Sequence, residues 1–272
     1  MTTATVPSLT EVVSIEIGGM TVALRTHDPS FRRLVEGRYV GFVGRSEHPH
    51  FEFDVDLYEP SEPPPSDDGL KIKFEAGEWL LQRGDFRARW NPGAKHGHIR
   101  QAFNPYAFDS LLRIIHTLIL AKQGGFLVHA ASAIRGGRAF LFAGVSGAGK
   151  TTMCRLAPPD ATLLTDEISY VRREGNRHFA CGTPFAGELA RVGENQSAPL
   201  SCIFLLEKGT ENRIEPVGPA EAVQRLLRNI LFFADDPALV DLVFQSACEF
   251  AGLVPIRRLV FVPDQRVWDL IS

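Results

Sequence analysis

One nine-residue run constrains this chain more than any other feature. Residues 144–152 read GVSGAGKTT and follow the apolar stretch AFLF at 139–142. They fit the phosphate-loop (Walker A) pattern G-x-x-x-x-G-K-[ST] through Gly144, Gly149, Lys150 and Thr151. The pattern has a physical basis. Gly149, helped by Gly147, lets the backbone curl until the amides of Val145, Ser146, Gly147, Ala148 and Gly149 point inward at phosphate oxygens. A helix starting at Lys150 and running through Thr152 adds the positive end of its dipole. Lys150 reaches the β- and γ-phosphates, and the Thr151 hydroxyl offers a magnesium ligand. A strand leading in and a helix leading out call for an α/β domain around a nucleotide.

The flanking residues set the topology. Two apolar strands, at 126–134 and 138–143, are joined by Arg135-Gly136-Gly137, a tight hairpin connection. The strand entering the loop is therefore antiparallel to its predecessor, where an ordinary nucleotide-binding unit has a helical crossover. A mixed sheet is expected. Pro158-Pro159 keeps the helix after the loop to about two turns, and Asp160 opens the next strand. That strand, 161–165, ends in Asp166-Glu167. An acid at a strand tip beside a phosphate loop can hold magnesium, and a neighbouring acid can accept a proton from an attacking hydroxyl.

Elsewhere the pattern is simpler. Strands at 14–17 and 20–25 flank Gly18-Gly19, and Asp28-Pro29 opens a short helix. Further strands are expected at 51–57, 71–74, 79–82 and 86–90, forming a small antiparallel unit with no catalytic motif. PSEPPPSDDG at 60–69 reads as a mobile polar loop. An amphipathic helix at 107–121 carries a partly exposed His116 and ends at Gly124-Gly125. Strands at 168–172, 201–206 and 256–262 and helices at 219–231 and 237–250 complete the chain. The domain boundary is placed near Asn104, giving a β-rich N-terminal domain over 1–104 and a nucleotide-loop domain over 105–272.

Composition mostly excludes. With 29 Lys and Arg against 32 Asp and Glu, the net charge is −3. No global positive field draws in nucleic acid or an anionic membrane. The apolar stretches fall short of a membrane span, and residues 1–10 lack the pattern of a signal peptide. Cys154, Cys181, Cys202 and Cys248 are scattered without metal-site spacing and read as four small buried residues. A cytoplasmic globular protein is expected.

The run from 126 to 171 resembles the HPr kinase/phosphorylase family and its stand-alone relatives, which share a P-loop fold type with phosphoenolpyruvate carboxykinase. The matching elements are Leu127-Val128-His129-Ala130, the Gly136-Gly137 turn, GVSGAGKTT and Leu163-Leu164-Thr165-Asp166-Glu167. The resemblance implies that His129 lies near the transferred phosphate. It also implies that Asp166 and Glu167 supply a metal ligand and a general base, with Thr151 and Asp166 on the metal. The segment Cys181-Gly182-Thr183-Pro184-Phe185-Ala186-Gly187-Glu188 resembles the loop after the acidic pair in relatives that lack HPr as a partner. There Thr183 or Glu188 would face the acceptor, and Arg191 is the nearest cation for phosphate charge. HPr kinase has Asp-Asp where this chain has Asp166-Glu167. Its signature loop and its own N-terminal domain are not recognisable here.

The expected function is an ATP- and magnesium-dependent kinase acting on a hydroxyl, Ser or Thr of a protein or peptide, with HPr itself disfavoured. The alternatives are a nucleotide-binding regulatory or scaffold protein without transfer activity, and a small-molecule kinase. Hexamers in the HPr kinase family make a homo-oligomer an expectation to test.

Overall fold

The computed structural model describes residues 11–44, 46–58 and 69–271. The proline-rich segment, apart from Gly69, and the first ten residues lie outside them. The chain divides into two compact units, Met1–Leu111 and Leu112–Ser272.

The first unit holds β1 (Glu11–Ile17), β2 (Met20–Thr26), α1 (Pro29–Arg38), β3 (Val43–Gly44) and β4 (Phe51–Leu57). There follow β5 (Lys71–Glu75), β6 (Glu78–Arg83), β7 (Phe86–Asn91), β8 (His96–Gln101) and the first turns of α2 (Pro105–Gln123). Gly18 and Gly19 both have positive φ, 61° and 80°, as the tight β1–β2 hairpin requires. Asp28 caps α1 by accepting the amides of Ser30 (2.7 Å) and Phe31 (3.1 Å), with Pro29 in the first turn.

The strands form one sheet in the order β3-β1-β2-β4-β8-β7-β6-β5. An antiparallel unit was expected, and this is corrected: β4 is parallel to both β2 and β8. For β2 and β4 the reason is α1, which carries the chain over between them as a crossover, where a hairpin would reverse it; between β4 and β8 the chain instead runs through the antiparallel β5, β6 and β7. Strand β8 escapes the periodicity because HGHIRQ offers a single large apolar residue, Ile99. Phe31, Val35, Tyr39, Phe53, Trp90 and Phe108 form the buried interior of this unit. Within it the Asp109 carboxylate is held by Arg38 and by the Tyr39 hydroxyl (2.6 Å).

The second unit continues α2 and adds β9 (Phe126–Arg135), β10 (Arg138–Ala143), α3 (Lys150–Arg155), β11 (Thr162–Thr165), β12 (Ile168–Glu174) and β13 (Arg177–Cys181). Then come β14 (Ser197–Lys208), β15 (Arg213–Pro216), α4 (Pro219–Leu227), β16 (Ile230–Leu231), α5 (Pro237–Leu253) and β17 (Ile256–Phe261), closed by a 3-10 turn at Gln265–Leu270. The sheet is mixed. β9 is antiparallel to β10, β11, β12 and β16, whereas β10 and β14, and β14 and β17, run parallel.

Burial on both faces explains the near-continuous apolar character of β10. Ala139, Leu141 and Ala143 face a core with Phe126, Leu205 and Phe250, while Phe140 and Phe142 face one with Met153, Phe261 and Trp268. Among the described residues no helix is long and apolar enough to cross a membrane.

Several expectations change here. His116 is not partly exposed. It is 1% exposed and lies edge-on to Tyr170 with ring centroids 5.5 Å apart. Cys248 is exposed on α5, unlike the other three cysteines. The helix expected to reach residue 231 ends at Leu227, and Ile230–Leu231 pairs with β9 instead. Helix α3 stops at Arg155, before the two prolines, and Asp160 sits in a turn before β11. Strands β13 and β15 are additional.

Candidate active site

Strand β10 delivers the chain into the glycine-rich loop, and α3 receives it. Gly149 has φ 112°, and a Cβ there would stand 2.5 Å from Phe261 Cζ. The position therefore takes glycine on conformational and steric grounds alike. Gly147 also has positive φ (76°). Helix α3 has only six residues, and in the loop before it the Ala148 amide donates to the Val145 carbonyl at 3.1 Å. The Lys150 ammonium folds back on the loop, donating to the carbonyls of Gly144 (2.8 Å) and Val145 (3.3 Å). Burial lowers its pKa, and the fields of Glu167 and Glu188 oppose that shift.

The acidic pair follows β11, on the far side of β9 from β10. Its members have different surroundings. Asp166 is 6% exposed, and its two oxygens accept the amides of Gly187 and Leu189, each at 2.8 Å. The turn it holds presents Glu188, whose carboxylate accepts the Thr151 hydroxyl at 3.0 Å. Gly187 is required for this approach, because a Cβ would come within 2.8 Å of Glu167 Cβ and 2.9 Å of Asp166 Oδ2. Glu167 is half-buried. Burial raises its pKa above the ordinary carboxylate value, Asp166 and Glu188 add to the rise, and the Arg113 and Lys150 charges oppose it. His129 sits on β9 opposite Ile168, its own amide donating to the Asn229 carbonyl (2.7 Å). Burial lowers its pKa, with Lys150 and Arg113 contributing, which favours the neutral imidazole.

These residues surround a cavity of about 350 Å³. His129, Lys150, Thr151, Asp166, Glu167 and Glu188 line it, with Ser146, Gly147, Gly149 and Thr152 as its loop wall. A second cavity, about 660 Å³, lies on the other flank of the loop. Gly144, Val145 and Ala148 face that one, and His129, Ser146 and Gly147 line both. Val145 is 78% exposed.

Two expected site residues are elsewhere. Thr183 does not face an acceptor: it is fully buried, and its hydroxyl donates to the Ile168 carbonyl at 2.7 Å. Arg191 does not reach the cleft. Its side chain is 68% exposed, lies 3.7 Å from Glu194, and lines a separate groove beside Cys154 and Pro158. Both displacements follow from the loop after β13, which turns at Gly187–Glu188 and then runs back along β11, with the Glu194 amide donating to the Leu163 carbonyl (3.0 Å).

Three contributors escaped the sequence. Arg155, in the last turn of α3, lines the smaller cavity. Arg113 on α2 lays its guanidinium over the Phe185 ring, 5.0 Å from the centroid, and its charge acts on both Glu167 and His129. The available signal for Arg113 was a cation between Leu112 and Ile114, both buried, in a helix whose apolar side is broad. The backbone amides of Gly187 and Leu189 carry no side-chain signal at all.

Residues 106–272 match the family model described as SynChlorMet cassette protein ScmC. No curated protein matches the chain. Among solved structures, the Hpr(Ser) kinase/phosphatase from Coxiella burnetii aligns at 14% identity over 44% of this chain and 87% of that one, with a TM-score of 0.25. So low a score carries no argument. The resemblance to HPr kinase rests on the sequence motifs alone, and the family matched is a different one.

Proposed function

The chain belongs to the ScmC family, and with its cleft as the ground we propose that it is an ATP- and magnesium-dependent kinase transferring the γ-phosphoryl group to a hydroxyl, that of Ser or Thr in a protein or peptide. One observation carries the reading. The lysine and threonine of the glycine-rich motif share a single cavity with His129 and the acidic pair. A loop that only bound phosphate would have no need of two acids and a histidine in the same space.

On this reading, residues 144–152 form a phosphate-binding loop. Phosphate oxygens take over the Lys150 protons now given to the Gly144 and Val145 carbonyls. The lysine charge and the loop amides offset charge on the transferring group, which is most of the catalytic work in phosphoryl transfer. Glu167 accepts the proton of the acceptor hydroxyl as its oxygen bonds to the γ-phosphorus and the bond to the ADP oxygen breaks. A raised pKa makes Glu167 a stronger proton acceptor than an ordinary carboxylate, which suits that role. Asp166 orders the 187–189 turn, and neutral His129 offers a hydrogen bond beside the phosphate.

Magnesium takes hard oxygen donors, and the Thr151 hydroxyl with the Asp166, Glu167 and Glu188 carboxylates are of that kind. Among the described residues no group of three or more His, Cys, Asp or Glu is placed to hold a metal by itself. In phosphoryl-transfer sites the ion needs only one or two carboxylates beside the phosphates, whose charge it neutralises.

The test combines calorimetry of ATP with magnesium and an ADP-release assay on Ser- and Thr-containing peptides. Lys150→Ala is expected to abolish nucleotide binding. Glu167→Gln is expected to bind ATP and transfer nothing. Wild-type affinity in Lys150→Ala overturns the phosphate-loop reading, and wild-type transfer in Glu167→Gln overturns the base assignment. Tight binding without transfer to any hydroxyl would make the protein a nucleotide-binding regulator.

A further inference from the structure

The larger cavity is not explained by phosphate binding or by the acidic pair. It opens at the C-terminal ends of β10 and β14, which run parallel with Ala143 opposite Leu205. In open α/β sheets, ligands sit in crevices outside the carboxyl ends of the strands. The acids, by contrast, follow β11, which pairs with β9 on the opposite flank of β10. The glycine-rich loop therefore separates two chemically different spaces. The smaller one carries three carboxylates. The larger has an apolar wall, and its one carboxylate, Glu207, is already paired with Arg225 and Arg258, each at 3.2 Å. That leaves Lys208 and Arg228 to set its sign.

Size divides the two further. Pockets of roughly 300–1,000 Å³ take one drug-sized ligand. At about 350 Å³ the smaller cavity is too small for a whole nucleotide together with an acceptor side chain. The cavity of about 660 Å³ has room for a heterocycle and a ribose. Since His129, Ser146 and Gly147 line both, a ligand lying across the loop reaches from one into the other.

Resting on the kinase reading above, we propose that the cavity between the glycine-rich loop and the β14–α4 segment holds the nucleoside of ATP. The base lies against the apolar wall that includes Val145 and Leu206, within reach of Lys208 and Arg228. A cation over an aromatic ring contributes about 0.5–2 kcal/mol, or about 2- to 30-fold in affinity. Asn229 lines the same space, and its Nδ2 donates to the Arg225 carbonyl at 2.8 Å. Its side-chain oxygen remains an acceptor for a ring substituent such as an amine. The acceptor hydroxyl then approaches from the opposite, carboxylate-lined side.

The experiment compares magnesium–ATP with magnesium–tripolyphosphate by calorimetry, on the wild type and on Lys208→Ala/Arg228→Ala. The double variant should lose about tenfold or more in ATP affinity while binding tripolyphosphate within about twofold of wild type. Retained tripolyphosphate binding also reports a folded loop. Photolabelling with 8-azido-ATP should mark peptides containing 205–208 or 225–229. Equal losses for both ligands would mean that the cations serve the phosphates, and the proposal fails. Unchanged ATP affinity, or labelling confined to Arg155 and Glu188 peptides, places the nucleoside elsewhere and also overturns it. A wild type that binds neither ligand refutes the kinase reading itself, and the nucleoside assignment falls with it.

Discussion

Asp166→Asn separates the two acids. The substitution preserves shape and removes charge from a carboxylate whose oxygens accept the Gly187 and Leu189 amides, each at 2.8 Å. The amide oxygen of Asn can keep one of these bonds, now with a neutral acceptor. Its NH2 group must face the other amide, donor against donor. A hydrogen bond to a charged group contributes about 1.5–3 kcal/mol, and a neutral one about 0.5–1.5 kcal/mol. Weakening one bond and losing the other costs about 2–4 kcal/mol. The 187–189 turn can open locally and let water pair the orphaned amide, so the loss falls on that turn rather than on the whole fold. Its opening free energy should drop by about 2–4 kcal/mol, speeding hydrogen exchange at Gly187 and Leu189 by ~30- to ~900-fold. Residue-resolved exchange measures this, with β10 amides as an internal control. A rise of less than about threefold at both amides would falsify the claim that Asp166 holds the turn, and its separation from Glu167 would fail with it.

Three further expectations follow from the same geometry. Glu167 has a raised pKa in the fold, so its stabilising contribution is complete below the ordinary value of 4.5 and is lost as pH rises through the folded value. Glu167→Gln should therefore melt higher than the wild type at pH 8, the gain disappearing near pH 4; identical melting curves at pH 8 would contradict the burial argument. His116 titrates at about 4 in the fold against 6.5 unfolded, because burial disfavours its charged form. Its contribution is present above pH 6.5 and disappears as pH falls toward 4, at up to ~1.4 kcal/mol per pH unit. Urea unfolding of His116→Phe should show a correspondingly flatter acid limb, and an unchanged slope would rule His116 out as its source. Thr183→Val should cost ~1–2 kcal/mol of stability through the lost bond to the Ile168 carbonyl, with nucleotide affinity unchanged. A variant of full stability that fails in transfer would return Thr183 to the acceptor side.

Legibility varied with the range of the interaction. The β1–β2 hairpin, the Asp28 cap and the antiparallel entry of β9 into β10 each depend on neighbouring residues, and each was readable. The parallel pairing of β4 with β2 was not, because a crossover helix of ten residues looks like any surface helix until its strands are paired, and the pairing of β4 with β8 joins strands more than forty residues apart. His116 was misread for a related reason. Polar residues on an amphipathic helix normally mark its wet side, and here that side packs on Tyr170. In the site, the residue types of the motif were plain, whereas the positions of Thr183 and Arg191 depended on how the loop after β13 returns along β11.

What the sequence by itself determined is local. Glycines at 147 and 149, both at positive φ, let the chain curl sharply between an apolar strand and a helix, because backbone sterics act over a few residues. Only the tertiary structure decided that both members of the acidic pair line one cavity and that Asp166 is held there by two backbone amides. It also decided that Glu188 reaches Thr151, and that the loop has an acidic flank and an apolar, cationic one. Those outcomes depend on strand order and on the return path of one loop, which bring together residues far apart in the chain.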